Sequence, residues 1–158
     1  MAALAPTFSA DIPEIHREHE SLLNDLMQFE RALDSIDCYS EALANLLAVG
    51  EVAFLTRRLL GQLPEHFIRE EDTVLAPLTE VSPELSNLVE NLRHEHEELR
   101  GRLEMFALGV KELESADDLY DAIWQMKEQG KGLTSAIIQH VAKEERELAE
   151  CVWHHFVR

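Results

Sequence analysis

Positive charge is scarce in this chain. Its 14 Lys and Arg face 31 Asp and Glu, a formal charge of −17. Nucleic acid and anionic membrane both select basic patches, so neither is an expected partner. Cysteine is nearly missing: Cys38 and Cys151 lie far apart and form no C-x-x-C motif. A reduced, cytoplasmic protein with inert thiols is the default reading. No apolar run approaches the roughly 18–20 residues of a membrane span. The segment Met1 to Ala10 has no basic stretch of the kind that opens a signal peptide. Glycine and proline are few, at six and five, and no stretch is low-complexity. A single domain over 1–158 is therefore expected, with 1–10 as a flexible N-terminal arm. Short β-branched alternating runs, the mark of strands, are also missing.

What remains is helical. The spacing predicts four long helices. The first runs from about Ile12 to Asp34, with Asp11 as N-cap and Pro13 in the first turn. The second runs from about Ser40 to Thr79, and Pro64 should kink or divide it. The third opens at Ser82-Pro83-Glu84, a cap followed by proline at the first helical position, and ends near Glu114. The fourth opens at Ser115-Ala116-Asp117-Asp118 and ends near His154. Short connections make neighbours antiparallel, an all-α, up-down-up-down four-helix bundle. All six glycines fall inside these helices, some as candidate close contacts, with the Gly130/Gly132 pair as a candidate local distortion.

Two segments of this chain repeat. His66-Phe67-Ile68-Arg69-Glu70-Glu71 returns as His140-Val141-Ala142-Lys143-Glu144-Glu145. Each copy follows a histidine far upstream, His19 (66 − 19 = 47) and His96 (140 − 96 = 44). On a helix, residues four apart share a face one turn apart, so an imidazole and a carboxylate so placed can close on one metal ion. All six residues lie in register with apolar stripes: His19 follows Ile15, His96 follows Leu92, Leu63 leads into His66 and Glu70, and Ile137 leads into His140 and Glu144. Four imidazoles and two carboxylates on core faces are hard to satisfy without cations, because buried charges pair or coordinate metals. His19, His66, Glu70, His96, His140 and Glu144 are thus the candidate metal ligands, with Glu70 and Glu144 as the shared carboxylates. His16, one turn before His19, is a possible extra ligand. Glu71 and Glu145 turn about 100° away from Glu70 and Glu144, towards salt bridges or outer contacts. His94 falls on a polar strip, and His154 and His155 end the chain beside Trp153 and Phe156. Tyr39, Tyr120, Trp124 and Trp153 are candidates to move protons or electrons.

Imidazole with carboxylate suits iron, manganese or zinc. Metal binding should compete with protons for four imidazoles that ordinarily titrate near about 6.5. No residue three before a histidine is Glu, which disfavours a ferritin-like Glu-x-x-His site.

The segments Glu18-His19-Glu20, His66-x-x-x-Glu70-Glu71, Glu95-His96-Glu97 and His140-x-x-x-Glu144-Glu145 together resemble the hemerythrin-like cation-binding domain. The resemblance spans about Ile12 to Val152. It implies a four-helix bundle holding two iron ions, a non-haem di-iron centre, and it carries the six candidate ligands over by position. Oxygen carriers of the family are expected to place another histidine one turn from that of the third helix; Leu92 and Arg100 stand there. The set is more similar to bacterial members linked to repair of iron–sulfur centres under stress, which often carry an extra N-terminal domain with cysteines that this sequence is not expected to contain. The expected ligand is a small diatomic molecule or peroxide. Three functions are open: a di-iron protein that binds or reacts with dioxygen, nitric oxide or peroxide or handles iron; a peroxidase or catalase-like oxidoreductase; or a metal-stabilised interaction module.

Overall fold

The computed structural model describes the backbone over 5–36, 42–113 and 119–156, and side chains over 13–36, 46–113 and 120–150. Its helices are α1 (Ala5–Ser35), α2 (Ala42–Glu70), the three-residue α3 (Ala76–Leu78), α4 (Pro83–Glu112) and α5 (Leu119–Phe156); a single π-helical stretch, Glu71–Leu75, joins α2 to α3. α1 packs on α2 and α5, and α4 packs on α2 and α5, so the four long helices close a ring around one interior. None of the described helices is long and apolar enough to cross a membrane.

The expected boundaries hold best where a cap fixes them. At α4, the Ser82 hydroxyl accepts a bond from the Leu85 N–H at 3.2 Å, with Pro83 in the first turn. Such a cap is worth about 1 kcal/mol. At α1 the expectation fails. The helix begins at Ala5, so Asp11 lies inside it instead of capping it, and Pro13 is interior. The same helix takes in residues 5–10 of the expected arm. The Ser40 and Ser115 to Asp118 starts lie outside the described residues.

Pro64 does not divide α2, which runs on to Glu70. Leu63 and Phe67, both fully buried, anchor the chain on either side of it. The break comes later, where the Ala76 N–H reaches back five residues to the Glu71 carbonyl. Single π turns of this kind cluster at functional sites. Gly130 marks a close contact: a Cβ there would lie 2.6 Å from Leu33 Cδ1 and 3.1 Å from Phe106 Cε2. The Gly130/Gly132 pair makes no break, since α5 is helical throughout.

Apolar side chains fill the interior in two separate bodies. The larger includes Leu26, Phe29, Leu59, Leu63, Phe67, Leu103 and Ile137. The smaller includes Ile15, Val74, Leu78, Val89, Leu92 and Leu148. The six polar candidates belong to neither, although each is at least nine-tenths buried.

Candidate metal centre

Four helices each contribute to one polar layer. α1 brings His19, α2 brings His66 and Glu70, α4 brings His96, and α5 brings His140 and Glu144. Their ligand atoms form two groups, His19/His66/Glu70 and His96/His140/Glu144, each with all three donor atoms within 4.8 Å of one another. The two halves mirror one another. The His19 and His66 rings cross edge-on at 4.8 Å, and the His96 and His140 rings at 4.9 Å. Phe67 stacks flat on His96 at 4.0 Å and meets His140 edge-on, so an apolar ring floors one side.

The carboxylates join the halves. Glu70 lies 3.8 Å from His19 Nε2, 3.7 Å from His66 Nε2 and 3.5 Å from His96 Nε2. Glu144 lies 3.6 Å from His19 Nε2 and 3.5 Å from His140 Nε2. Each carboxylate therefore touches imidazoles of both groups.

Every inward atom of this layer lacks a hydrogen-bond partner: Nε2 of His19, His66, His96 and His140, and both oxygens of Glu70 and Glu144. An unpaired buried polar group costs about 1–3 kcal/mol, more if charged. So many together, turned into one buried layer, fit cations and nothing apolar. The outward nitrogens are all engaged. Nδ1 of His66 donates to Glu18 at 2.8 Å, His96 to Glu71 at 2.8 Å, His140 to Glu95 at 2.9 Å and His19 to Glu145 at 3.1 Å. A carboxylate on Nδ1–H fixes the tautomer that leaves Nε2 free to bind metal.

Burial without a cation moves every titration in this layer. Burial, then neighbouring imidazoles, lowers His19 to about 4 and His96 to about 2. Burial alone takes His66 to about 4 and leads the lowering of His140. Glu70 is pushed up to about 10, by burial and then by the Glu144 charge beside it. Glu144 rises to about 8, chiefly by burial. Burial thus favours the neutral form of both kinds of group in the metal-free fold, so a metal competes with protons at the carboxyls as well as at the imidazoles. Around the rim, part burial works against Glu145 and Glu95, but hydrogen bonds from His19 and His16, and from Lys143 and His140, keep both below the usual carboxylate range.

Glu71 and Glu145 take the outer role that their 100° offset implied. Glu18 and Glu95 entered the sequence reading only as parts of the resembling segments and were given no role, yet a signal existed: each directly precedes the histidine of its own helix, in both halves of the repeat. That position turns towards the adjacent helix, where the H-x-x-x-E histidine waits. His16 does not join either group; it is exposed and meets Glu145. His94 is exposed, as its polar strip implied. Tyr120 and Trp124 are half exposed, 20 and 16 residues from His140 along α5, so about 30 and 24 Å up the helix from the centre. The side chains of Cys38, Tyr39, Cys151, Trp153, His154 and His155 lie outside the described residues.

Neither a curated protein nor a solved structure matches the chain. A family model does: the hemerythrin HHE cation binding domain, over residues 8–152. The match takes in most of each of the four long helices and both His/His/Glu groups, and the chain belongs to the hemerythrin HHE cation-binding family.

Proposed function

We propose that this chain is a non-haem di-iron protein that binds or reacts with dioxygen, nitric oxide or peroxide, in a stress response within a reducing cytoplasm. The observation that carries this reading is the set of inward, unpartnered donors: four Nε2 atoms and two whole carboxylates in one buried layer. His19, His66 and Glu70 would hold one ion, and His96, His140 and Glu144 the other, with Glu70 and Glu144 as the shared carboxylates. Imidazole and carboxylate donors suit iron, and also manganese or zinc. Iron held this way supplies redox chemistry and open positions for a small ligand.

The protein's part is to orient and to shield. The outer carboxylates hold each imidazole in one tautomer, and the apolar bodies on either side keep bulk water from the layer. Leu92, one turn before His96, is buried in the smaller apolar body, and Arg100, one turn after it, is tied to Glu71 at 2.9 Å. Neither supplies a further ligand, which favours reaction or iron handling over reversible oxygen carriage.

The test is metal analysis of protein purified from its native host, with optical spectra of the anaerobically reduced form before and after air. Two iron ions per chain are expected, with a spectrum that changes in air and stays changed when oxygen is purged. Redox-silent zinc would overturn the iron reading. Recovery of the reduced spectrum on purging, without reductant, would restore carriage.

A further inference from the structure

Each outer carboxylate has a second partner on its far side. Glu18 holds His66 and pairs with Arg69. Glu71 holds His96 and pairs with Arg100. Glu95 holds His140 and pairs with Lys143. The fourth arm differs. Glu145 holds His19, and its outer partner is His16, whose Nδ1 lies 2.9 Å from the same Oε1 that His19 reaches at 3.1 Å. Glu145 is also the most exposed of these four carboxylates, 39% against 30% for Glu95 and 21% for Glu18 and Glu71.

We propose that His16 is a positioning residue, acting through Glu145 to hold the His19 imidazole, in the role that Arg69, Arg100 and Lys143 fill for the other three arms. The inference rests on the reading that the six buried residues bind metal. His16 sits one turn from His19 on α1, near enough to suggest a seventh ligand, but both its nitrogens face carboxylates: Nδ1 towards Glu145 and Nε2 towards Glu20 at 3.7 Å. Its side chain is 59% exposed, outside the buried layer. A half-exposed carboxylate without an outer partner is drawn towards water, and its hydrogen bond to the ligating imidazole loosens. That bond fixes which His19 nitrogen carries the proton and where the ring points. A guanidinium can take over from the imidazole on Glu145, because it donates in a planar fork that matches a carboxylate, yet it has no lone pair to give a metal.

That difference supplies the test. Chelator-stripped wild type, His16→Ala, His16→Arg and Glu145→Gln are titrated with cobalt(II), reading bound ions per chain and the ligand-field absorption. Loss of an outer-shell partner costs roughly 10–100-fold in metal affinity, the range expected for Glu145→Gln at one of the two ions. His16→Ala should weaken the same ion by less, up to about tenfold, and shift its absorption. His16→Arg should restore both wild-type affinity and wild-type spectrum. If His16→Arg is as impaired as His16→Ala, an outer donor on Glu145 is not what His16 supplies and the proposal fails; it fails equally if His16→Ala matches wild type. Wild type that takes up no cobalt overturns the metal-centre reading itself, and this inference with it.

Discussion

Glu70 and Glu144 are fully buried carboxyls with no donor to satisfy them, so their charge depends on what the centre holds. Each touches imidazoles of both groups, and loss of either should cost both ions a donor. Glu70→Ala or Glu144→Ala is expected to bring bound metal below two ions per chain by elemental analysis, one for each His/His/Glu group. Full stoichiometry in both variants would rule out shared carboxylates. In metal-free protein the same residues set a pH dependence. Between about 4.5 and about 10, Glu70 is protonated in the fold and ionised in the open chain. The unfolded state then binds fewer protons, so stability falls as pH rises through that window. The depressed imidazoles act in the opposite sense, but only below their unfolded value of 6.5, where unfolding takes up protons and stability falls as pH falls. Above about 7 the carboxyls alone remain. The melting temperature of chelator-stripped protein should therefore drop from pH about 7 to about 9, and Glu70→Gln should lessen the drop. A slope unaltered by that substitution would show that Glu70 is not protonated in the fold.

At the scale of elements, helix α5 and the π turn after α2 carry the two copies of the motif by different means. α5 places Glu144 and Glu145 on an unbroken helix, whereas α2 gives way to π geometry directly after Glu70. No residue in Glu71–Leu75 announces this, because a widened turn keeps helical dihedrals and breaks no local propensity. The glycines were visible in sequence, but their roles were not. Gly61 and Gly101 have no neighbour within 4 Å of an added Cβ, while Gly130 is pressed against Leu33 and Phe106. Gly61→Ala and Gly101→Ala should each stabilise by about 1 kcal/mol through helix propensity alone. Gly130→Ala gains the same propensity but overpacks a fully buried contact at about 1–3 kcal/mol, for a net loss of up to about 2 kcal/mol. Urea unfolding of the three variants checks the signs. Stabilisation by Gly130→Ala would mean that Leu33 can yield, and that α1 and α5 are not in forced contact.

Over the whole molecule, the excess of 31 acids over 14 bases is spread along four parallel and antiparallel rods. Self-repulsion of that charge weakens the compact state. Salt bridges between exposed groups, such as Lys131 with Asp34 at 2.8 Å, add only about 0–1 kcal/mol each. Repulsion should win, so screening should help: the melting temperature is expected to rise as sodium chloride goes from about 0.01 M to about 0.5 M. A fall over that range would show that specific surface pairs outweigh the net charge.

Sequence alone determined the helical class, the Ser82-Pro83 cap and the inward register of all six centre residues. Each of these is local or periodic: a cap joins residues three apart, and an apolar stripe of period 3.6 fixes which way His19 or Glu144 faces. The start of α1 was misplaced because Asp11 and Pro13 suit a helix N-terminus, whereas the helix starts before them and carries Pro13 in its interior at the loss of one backbone bond. Only the tertiary structure decided which carboxylate serves which imidazole. Glu18 reaches His66, 48 residues on, and Glu145 reaches back 126 residues to His19. Such pairings depend on how neighbouring helices are rotated and offset against one another. That in turn is set by close packing at points such as Gly130 against Leu33, where no periodicity along a single helix carries the information.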